Sequence, residues 1–527
     1  MQKLSIRSMS SRVSLSLKRQ KLNHRRWLMR HVIFFRGKVM SNANYVVMSI
    51  EGYRGNPLIE AIGWGLDEST FNDFYSPKTD NQTDVELIPE NRRKFGIRSA
   101  IGRLKNSYIA RDEAHAVYET MLMLMHQGYV NRNPLDEGYQ KILTAIQRDM
   151  KDPLAAKHIK VTYGDSMMGA DVSNGSSLLV GLSGDGKTTL ITKALSLIER
   201  KIHHTSYVDQ NGEEHKMDFA QQTHLYVKLN TRKGQKALLR SILSALDEDT
   251  GESYSFIYRN ADVEELIVGV RKAMIIHGVG LLVIDEAQNF SAANDVMKIG
   301  ANEKTSIPFV EEIFNRIGVP LFFVGTHSVL NLLTDVKTIR RVIESGGQII
   351  AGCELGSPFW ERFCQHLFRT EFLSSQTTDF ETFKQHLHKK TCGVTAIAKS
   401  LVVSTLQYLT KVPPEFQDLG IDSINLVFKR QYSLLIPPLR ALENEDYHLY
   451  EEYGVLAILR DIEEQEELEV KSDPSEDGQL ALALKLAKRL KPEKAQKNLR
   501  NAKEVDVEIA EKLGVKRMMM ITGGRDA

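Results

Sequence analysis

Cysteine is scarce in this chain of 527 residues: Cys353, Cys364 and Cys392 are the whole complement, and no two stand as C-x-x-C. So few thiols build no disulfide framework and no zinc-binding pair, which sets aside a small secreted scaffold and fits a reducing compartment. Long apolar runs are missing too. No stretch approaches the roughly 20 residues needed to cross a bilayer, and nothing N-terminal has the apolar core of a secretion signal, so a cytoplasmic protein is expected. Net charge is almost absent, with 69 Lys and Arg against 67 Asp and Glu leaving +2. Affinity for nucleic acid must therefore come from local patches rather than from the field of the whole molecule. Acidic residues are absent from Met1–Val39, which carries Lys18, Arg19, Lys21, Arg25, Arg26 and Arg30. A nucleic-acid arm, a transit-like leader, and an extension upstream of a start at Met40 all fit that composition. Residues 1–39 are set apart as a basic extension expected to be disordered.

What is present begins with ordinary globular composition, 42% apolar and 26% charged, enough for at least one large core. The stretch Leu178–Thr192 organises the rest. Leu178–Val180 reads as a buried strand, Gly181, Ser183, Gly184, Asp185, Gly186, Lys187, Thr188 and Thr189 as a phosphate loop, and Leu190–Leu197 as a helix. The spacing fits G-x-x-x-x-G-K-[ST]. In that pattern glycines let backbone N–H groups wrap a polyphosphate of ATP, Lys187 reaches the β and γ phosphates, and the Thr188 hydroxyl contacts Mg²⁺.

A second motif supports the first. Gly280–Glu286 is an apolar strand ending in two carboxylates, of the kind found in parallel sheets. Asp285 is expected on the Mg²⁺ side, and Glu286 is expected to orient and activate the attacking water of an ATPase. The two motifs are expected at the ends of adjacent strands. Val319–Thr326 reads as a further strand that places Thr326 beside the γ phosphate as a sensor of nucleotide state. Arg340 or Arg341 could reach a neighbouring subunit's phosphate, or the pair could be a solvated helix face; Arg362 is a further candidate. Lys399 could point into the site.

The remaining pattern predicts an α/β fold, a parallel sheet flanked by helices, with a small mostly helical N-terminal docking module at 40–151, a nucleotide-binding domain at 152–375, a helical lid at 376–460 and a charged partner-binding tail at 461–527. Tyr108–His126 and Gly138–Met150 read as helices, with Gly128 as a stop signal. Ile50–Asp67 reads as a short docking element. In the central domain helices are expected at Thr189–Ile202, Gln235–Leu246, Asp262–His277 and Ile307–Ile317, and a strand at Leu225–Leu229. Asp209–Asp218 is expected as a hairpin or loop with Asn211-Gly212 at its tip. Helices follow at Phe380–Lys389, Val394–Thr410, Ser423–Leu435 and Pro438–Leu442. Beyond them lie an acidic linker, Asp461–Asp477, and a basic amphipathic helix, Gln479–Leu490.

The combination of the phosphate loop, Leu281 to Gln288, Val324-Gly325-Thr326 and a helical lid resembles an AAA+ P-loop ATPase. Within that class the chain resembles the TnsC family, the ATP-dependent target-selection regulators of Tn-seven-like transposons. The sharpest points are Tyr53–Ala61, Gly128–Pro134, Gly280–Gln288 and Ile317–Thr326. The resemblance implies rings or helical filaments of this chain around duplex DNA, with ATP at subunit boundaries. It also implies a TnsD- or TniQ-like target selector as partner on the N-terminal side and the TnsA and TnsB transposase subunits on the C-terminal side. The family's DNA-facing loops resemble the stretch holding Lys228, Thr231, Arg232, Lys233 and Lys236, whose side chains suit phosphate contacts that read no bases. The same residues would serve equally as a solvated strand end and helix start. A rival reading keeps the ATP site and drops DNA: a loader or signalling ATPase that remodels a protein partner. A plain P-loop kinase is a third, for which no acceptor site is evident.

Overall fold

Three apolar runs without a polar face become the middle of a five-stranded parallel sheet. The computed structural model describes residues 41–75, 88–151, 175–230, 234–290, 316–332, 339–350 apart from 341 and 343, and 352–452. Its strands are β1 (Ser41–Asn42), β2 (Ser176–Gly181), β3 (Lys201–Val208), β4 (Glu214–Gln222), β5 (His224–Lys228), β6 (Leu281–Asp285), β7 (Leu321–Gly325) and β8 (Gln348–Ile350). The large sheet runs β5-β6-β7-β2-β8 with every pairing parallel. β7 therefore separates the phosphate-loop strand β2 from the acid strand β6, which corrects the expectation that the two are adjacent. A second sheet, β1-β3-β4, holds the predicted hairpin. Its turn is built by Asp209, whose carboxylate accepts from the N–H groups of Asn211 and Glu213, and by Gly212 at φ +82°.

Each central strand is buried on both faces, so helices must cover both. On one face, Leu178 and Val180 of β2, Leu282 and Ile284 of β6 and Phe323 of β7 meet α7 (Gln235–Thr250) and α8 (Val263–Ile276). The latter starts at a capping box between Asp262 and Glu265. On the other face the alternate residues, Leu179, Leu281, Val283, Phe322 and Val324, meet α4 (Ala114–Tyr129) and α6 (Lys187–Ser196). The same cluster takes in Leu58 and Ile59 of α1 (Pro57–Glu60) and Phe71 and Tyr75 of α2 (Glu68–Tyr75). The N-terminal residues thus share one core with the sheet; Leu58 and Ile59 of the stretch expected as a docking element are buried in it, while Ile50 and Trp64 of the same stretch are exposed. α3 (Arg93–Arg103) instead packs on the later helix Thr395–Leu409, and α5 (Glu137–Lys151) on α8.

Helix boundaries depart from expectation: α4 begins at Ala114 rather than Tyr108, and two further departures have visible reasons. α4 runs through Gly128 to Tyr129, because that glycine makes room for a neighbour rather than stopping the helix: a Cβ there would lie 2.6 Å from the Pro320 ring. α6 ends at Ser196 rather than Ile202, since Ile202, His204 and Tyr207 point inward from β3. After the sheet come α9 (Pro358–Leu367), α10 (Phe380–Thr391), α11 (Thr395–Leu409) and α12 (Ile421–Gln431), with α10, α11 and α12 in mutual contact, and then α13 (Tyr447–Glu452). Among the described residues, Ser41–Ser433 and Ala441–Glu451 belong to one compact unit; Leu434–Arg440 and Glu452 belong to a second. No described helix is long and apolar enough to cross a membrane. The calls for residues 1–39 and 461–527, and nearly all of the helix expected at 307–317, lie outside the described residues.

Candidate active site

The loop between β2 and α6 has the conformation its glycines permit. Gly184 and Gly186 take φ +93° and +83°. A Cβ on Gly181 would press on the Ile350 carbonyl of β8 at 3.1 Å. Lys187 is buried, and its ammonium donates to the carbonyls of Gly181 at 2.9 Å and Leu182 at 2.8 Å. Burial pulls the Lys187 ammonium below its ordinary value, while Asp185, Glu286, Glu451 and Asp285 pull the other way. Thr188 and Thr189 open α6, Thr189 exposed and Thr188 half-buried. Ser183 is exposed, and its carbonyl accepts from the Tyr450 hydroxyl at 2.8 Å.

The two motifs meet directly. Thr188 Oγ1 donates to Asp285 Oδ2 at 2.7 Å, across 97 residues of sequence. The same carboxylate oxygen accepts from the Tyr226 hydroxyl at 2.6 Å, and Asp285 is 1% exposed. Tyr226 lies two residues before Lys228 on β5, a position that strand alternation places on the same face. A hydroxyl and a carboxylate in contact are hard oxygen donors of the kind Mg²⁺ takes alongside phosphate. Glu286 follows at φ +57°, in the left-handed region. Its Oε2 accepts from Gln288 Nε2 at 2.7 Å, and its Oε1 stands 3.7 Å from Lys228 Nζ. Lys228 is the register partner of Asp285, which sets its ammonium beside the next carboxylate. The cation expected to face DNA thus also faces the catalytic candidate.

Thr326 follows β7 with little exposure, and its N–H donates to Gln288 Oε1 at 3.2 Å. The next two residues bind Glu451 of α13: its Oε1 accepts from the His327 N–H at 3.0 Å and its Oε2 from Ser328 Oγ at 3.1 Å. Burial works to raise the Glu451 carboxyl, but hydrogen bonds from His327 and Thr326 outweigh it and hold it below the usual range. Tyr447 stacks on His327 with ring centres 5.2 Å apart. α13 therefore spans the phosphate loop and the loop after β7. Gln288, Tyr226, Tyr450 and Glu451 were not singled out in the sequence reading.

Lys399, on α11, donates to the Ser107 carbonyl at 2.7 Å and so is turned toward the N-terminal segment. Arg340 is exposed and pairs with Glu344 at 3.3 Å. Arg362 is held by Asp112 at 2.7 Å. Lys236 is exposed in the first turn of α7. Thr231, Arg232, Lys233 and Arg341 lie outside the described residues.

Residues 170–333 match the family model described as an AAA domain. Among solved structures, the chain is similar to a Walker-type ATPase of Pyrococcus abyssi, at 15% identity and a TM-score of 0.33, covering 59% of this chain and 84% of that one. It is similar to the ORC2 protein of Aeropyrum pernix solved in ADPNP-ADP complexes, at 13% identity and a TM-score of 0.30, over 58% and 75% of the two chains. The third is Cdc6p from Pyrobaculum aerophilum, at 16% identity and a TM-score of 0.30, over 61% and 86%. No curated protein matches the sequence. The chain carries an α/β AAA+ P-loop domain and is an ATPase.

Proposed function

We propose that this ATPase is a DNA-binding regulator of transposition, which oligomerises on duplex DNA and links a TnsD- or TniQ-like target selector to the TnsA and TnsB transposase subunits. The observation that carries the DNA part of the reading is the approach of Lys228 to Glu286 at 3.7 Å. A DNA phosphate that draws Lys228 away releases the carboxylate that orients water, so DNA binding and turnover are coupled through one side chain. The family part is supported by the two stretches peculiar to the resemblance, which lie against each other. Asn56 Nδ2 donates to the Tyr129 carbonyl at 2.8 Å, and Asn133 Nδ2 to the Gly55 carbonyl at 3.0 Å. Tyr129 and Arg132 then bond the Gly278 and Val279 carbonyls just before β6, tying both stretches to the acid strand.

In the hydrolysis step, Lys187 leaves the Gly181 and Leu182 carbonyls and turns to the β and γ phosphates. Thr188 and Asp285 would hold Mg²⁺, which when bound offsets the charge of those phosphates. Glu286 orients the water in line with the γ phosphate. Thr326 and its loop lie at the end of β7, between the two motif strands. Arg340 or Arg341 of a neighbouring copy completes the charge balance, ATP favours assembly on DNA, and hydrolysis favours release.

The test is a mobility shift on nonspecific duplex DNA with and without ATP, across a salt series. The wild-type chain is expected to shift DNA only with ATP and less as salt rises, and replacing Lys228, Arg232 and Lys233 together by alanine is expected to abolish the shift. A wild-type chain that turns over ATP but never shifts DNA would favour the loader or signalling reading.

A further inference from the structure

We propose that Gln288 is a positioning residue for hydrolysis, whose side-chain amide fixes the Glu286 carboxylate and ties it to the backbone of Thr326. The proposal rests on the ATPase reading of this site and concerns a residue that the reading leaves without a role. Gln288 Nε2 donates to Glu286 Oε2 at 2.7 Å, while Gln288 Oε1 accepts the Thr326 N–H at 3.2 Å. The amide has only one workable orientation. Turned over, it would set its oxygen against a carboxylate and its NH₂ against another N–H.

Three further features make the bridge a built one. Glu286 adopts φ +57°, a conformation that is strained for a residue with a Cβ and persists only where neighbours hold it. The turn that carries Gln288 is closed by Asn289, whose N–H donates to the Glu286 carbonyl at 2.9 Å and whose side chain donates to the Leu229 carbonyl at 2.5 Å. Gly325 leaves open the space that the amide fills, since a Cβ there would stand 2.5 Å from Gln288 Oε1 and 2.3 Å from Val329 Cγ2.

The consequence is a division of the Glu286 carboxylate between two neighbours. Oε1 faces Lys228 and Oε2 faces Gln288. Lys228 is a long, half-exposed cation that draws the carboxylate toward β5; Gln288 is short and anchored on both sides. Without Gln288 the carboxylate is free to follow Lys228. Through the Thr326 N–H, a displacement of the loop after β7 also reaches the carboxylate that orients water.

The experiment compares steady-state ATP turnover, affinity for the fluorescent nucleotide mant-ATP, and Tm in the full chain. Gln288→Met keeps length and approximate volume and removes both hydrogen bonds; Gly325→Ala removes no polar atom and displaces the amide. Both are expected to lower kcat on the order of 10- to 100-fold, the scale of a misplaced catalytic group; KM, mant-ATP affinity and Tm stay near wild type in Gln288→Met, whereas Tm falls in Gly325→Ala because its Cβ also crowds the buried Val329. Wild-type kcat in Gln288→Met overturns the proposal. A parallel fall in kcat, nucleotide affinity and Tm in Gln288→Met also overturns it, by reducing Gln288 to a structural residue. Glu286→Gln is the control. Wild-type turnover there would remove the reading of Glu286 itself, whereas a dead Glu286→Gln beside an active Gln288→Met removes only the role of Gln288.

Discussion

A buried carboxylate sits in the phosphate loop. Asp185 is 2% exposed, and neither oxygen has a hydrogen-bond partner among the described residues. Burial pushes its carboxyl up to about 6, against the pull of Arg111 and Lys187. The folded value lies above the ordinary carboxylate value, so the fold favours the protonated form. That contribution is complete below about pH 4 and is lost as pH rises through about 6. Asp185→Asn, which keeps the shape without the charge, is therefore expected to be more stable than wild type at pH 8 by on the order of 3 kcal/mol, with the gap closing by pH 4. Urea unfolding at a series of pH values checks this, and a gap independent of pH contradicts it. At this scale the sequence was legible where a motif specifies both residue and spacing: the Thr188 hydroxyl bonds the Asp285 carboxylate, so the two motifs come together in space. It was not legible for Lys228, whose neighbours in sequence suggest only a basic patch. Its approach to Glu286 depends on the pairing of β5 with β6, and strand register is not written locally.

At the scale of elements, α13 is the part whose position has the largest consequence for the site. Its residues bond the loop holding Ser183 on one side and the loop holding His327 and Ser328 on the other, and burial raises the Tyr450 hydroxyl to about 12. Contacts of this kind contribute about 1 kcal/mol each, and a nucleotide that parts them on entering meets that opposition. The double variant Tyr450→Phe, Glu451→Ala is expected to bind mant-ATP several-fold faster than wild type in stopped-flow mixing, and slower association would contradict that. Nothing near residue 450 in the sequence points to the phosphate loop 267 residues earlier. The apolar strands were readable because burial on both faces leaves no polar alternation, as in Leu281–Asp285. Gly128 was misread because a glycine that ends a helix and one that admits a proline ring from another element look alike in one dimension.

For the whole molecule, the strand order is the finding that local pattern did not contain. β7 between β2 and β6 puts the loop holding Thr326 between the two halves of the site. The N-terminal stretch reads as a separate module by composition, yet Leu58, Ile59 and Phe71 belong to the core under the phosphate-loop helix. Long-range packing of this kind is set by which apolar faces remain uncovered once the sheet has formed, and a chain scanned for composition does not reveal it.

The proposed hydrolysis depends on one carboxylate, that of Glu286, acting on a triphosphate held by the loop between β2 and α6. Steady-state turnover of Glu286→Gln, measured beside its mant-ATP and DNA affinities, tests that claim most directly. The prediction is a loss of turnover on the order of 100-fold or more with both affinities retained. Turnover at the wild-type rate, or loss of nucleotide and DNA binding together with turnover, would contradict it.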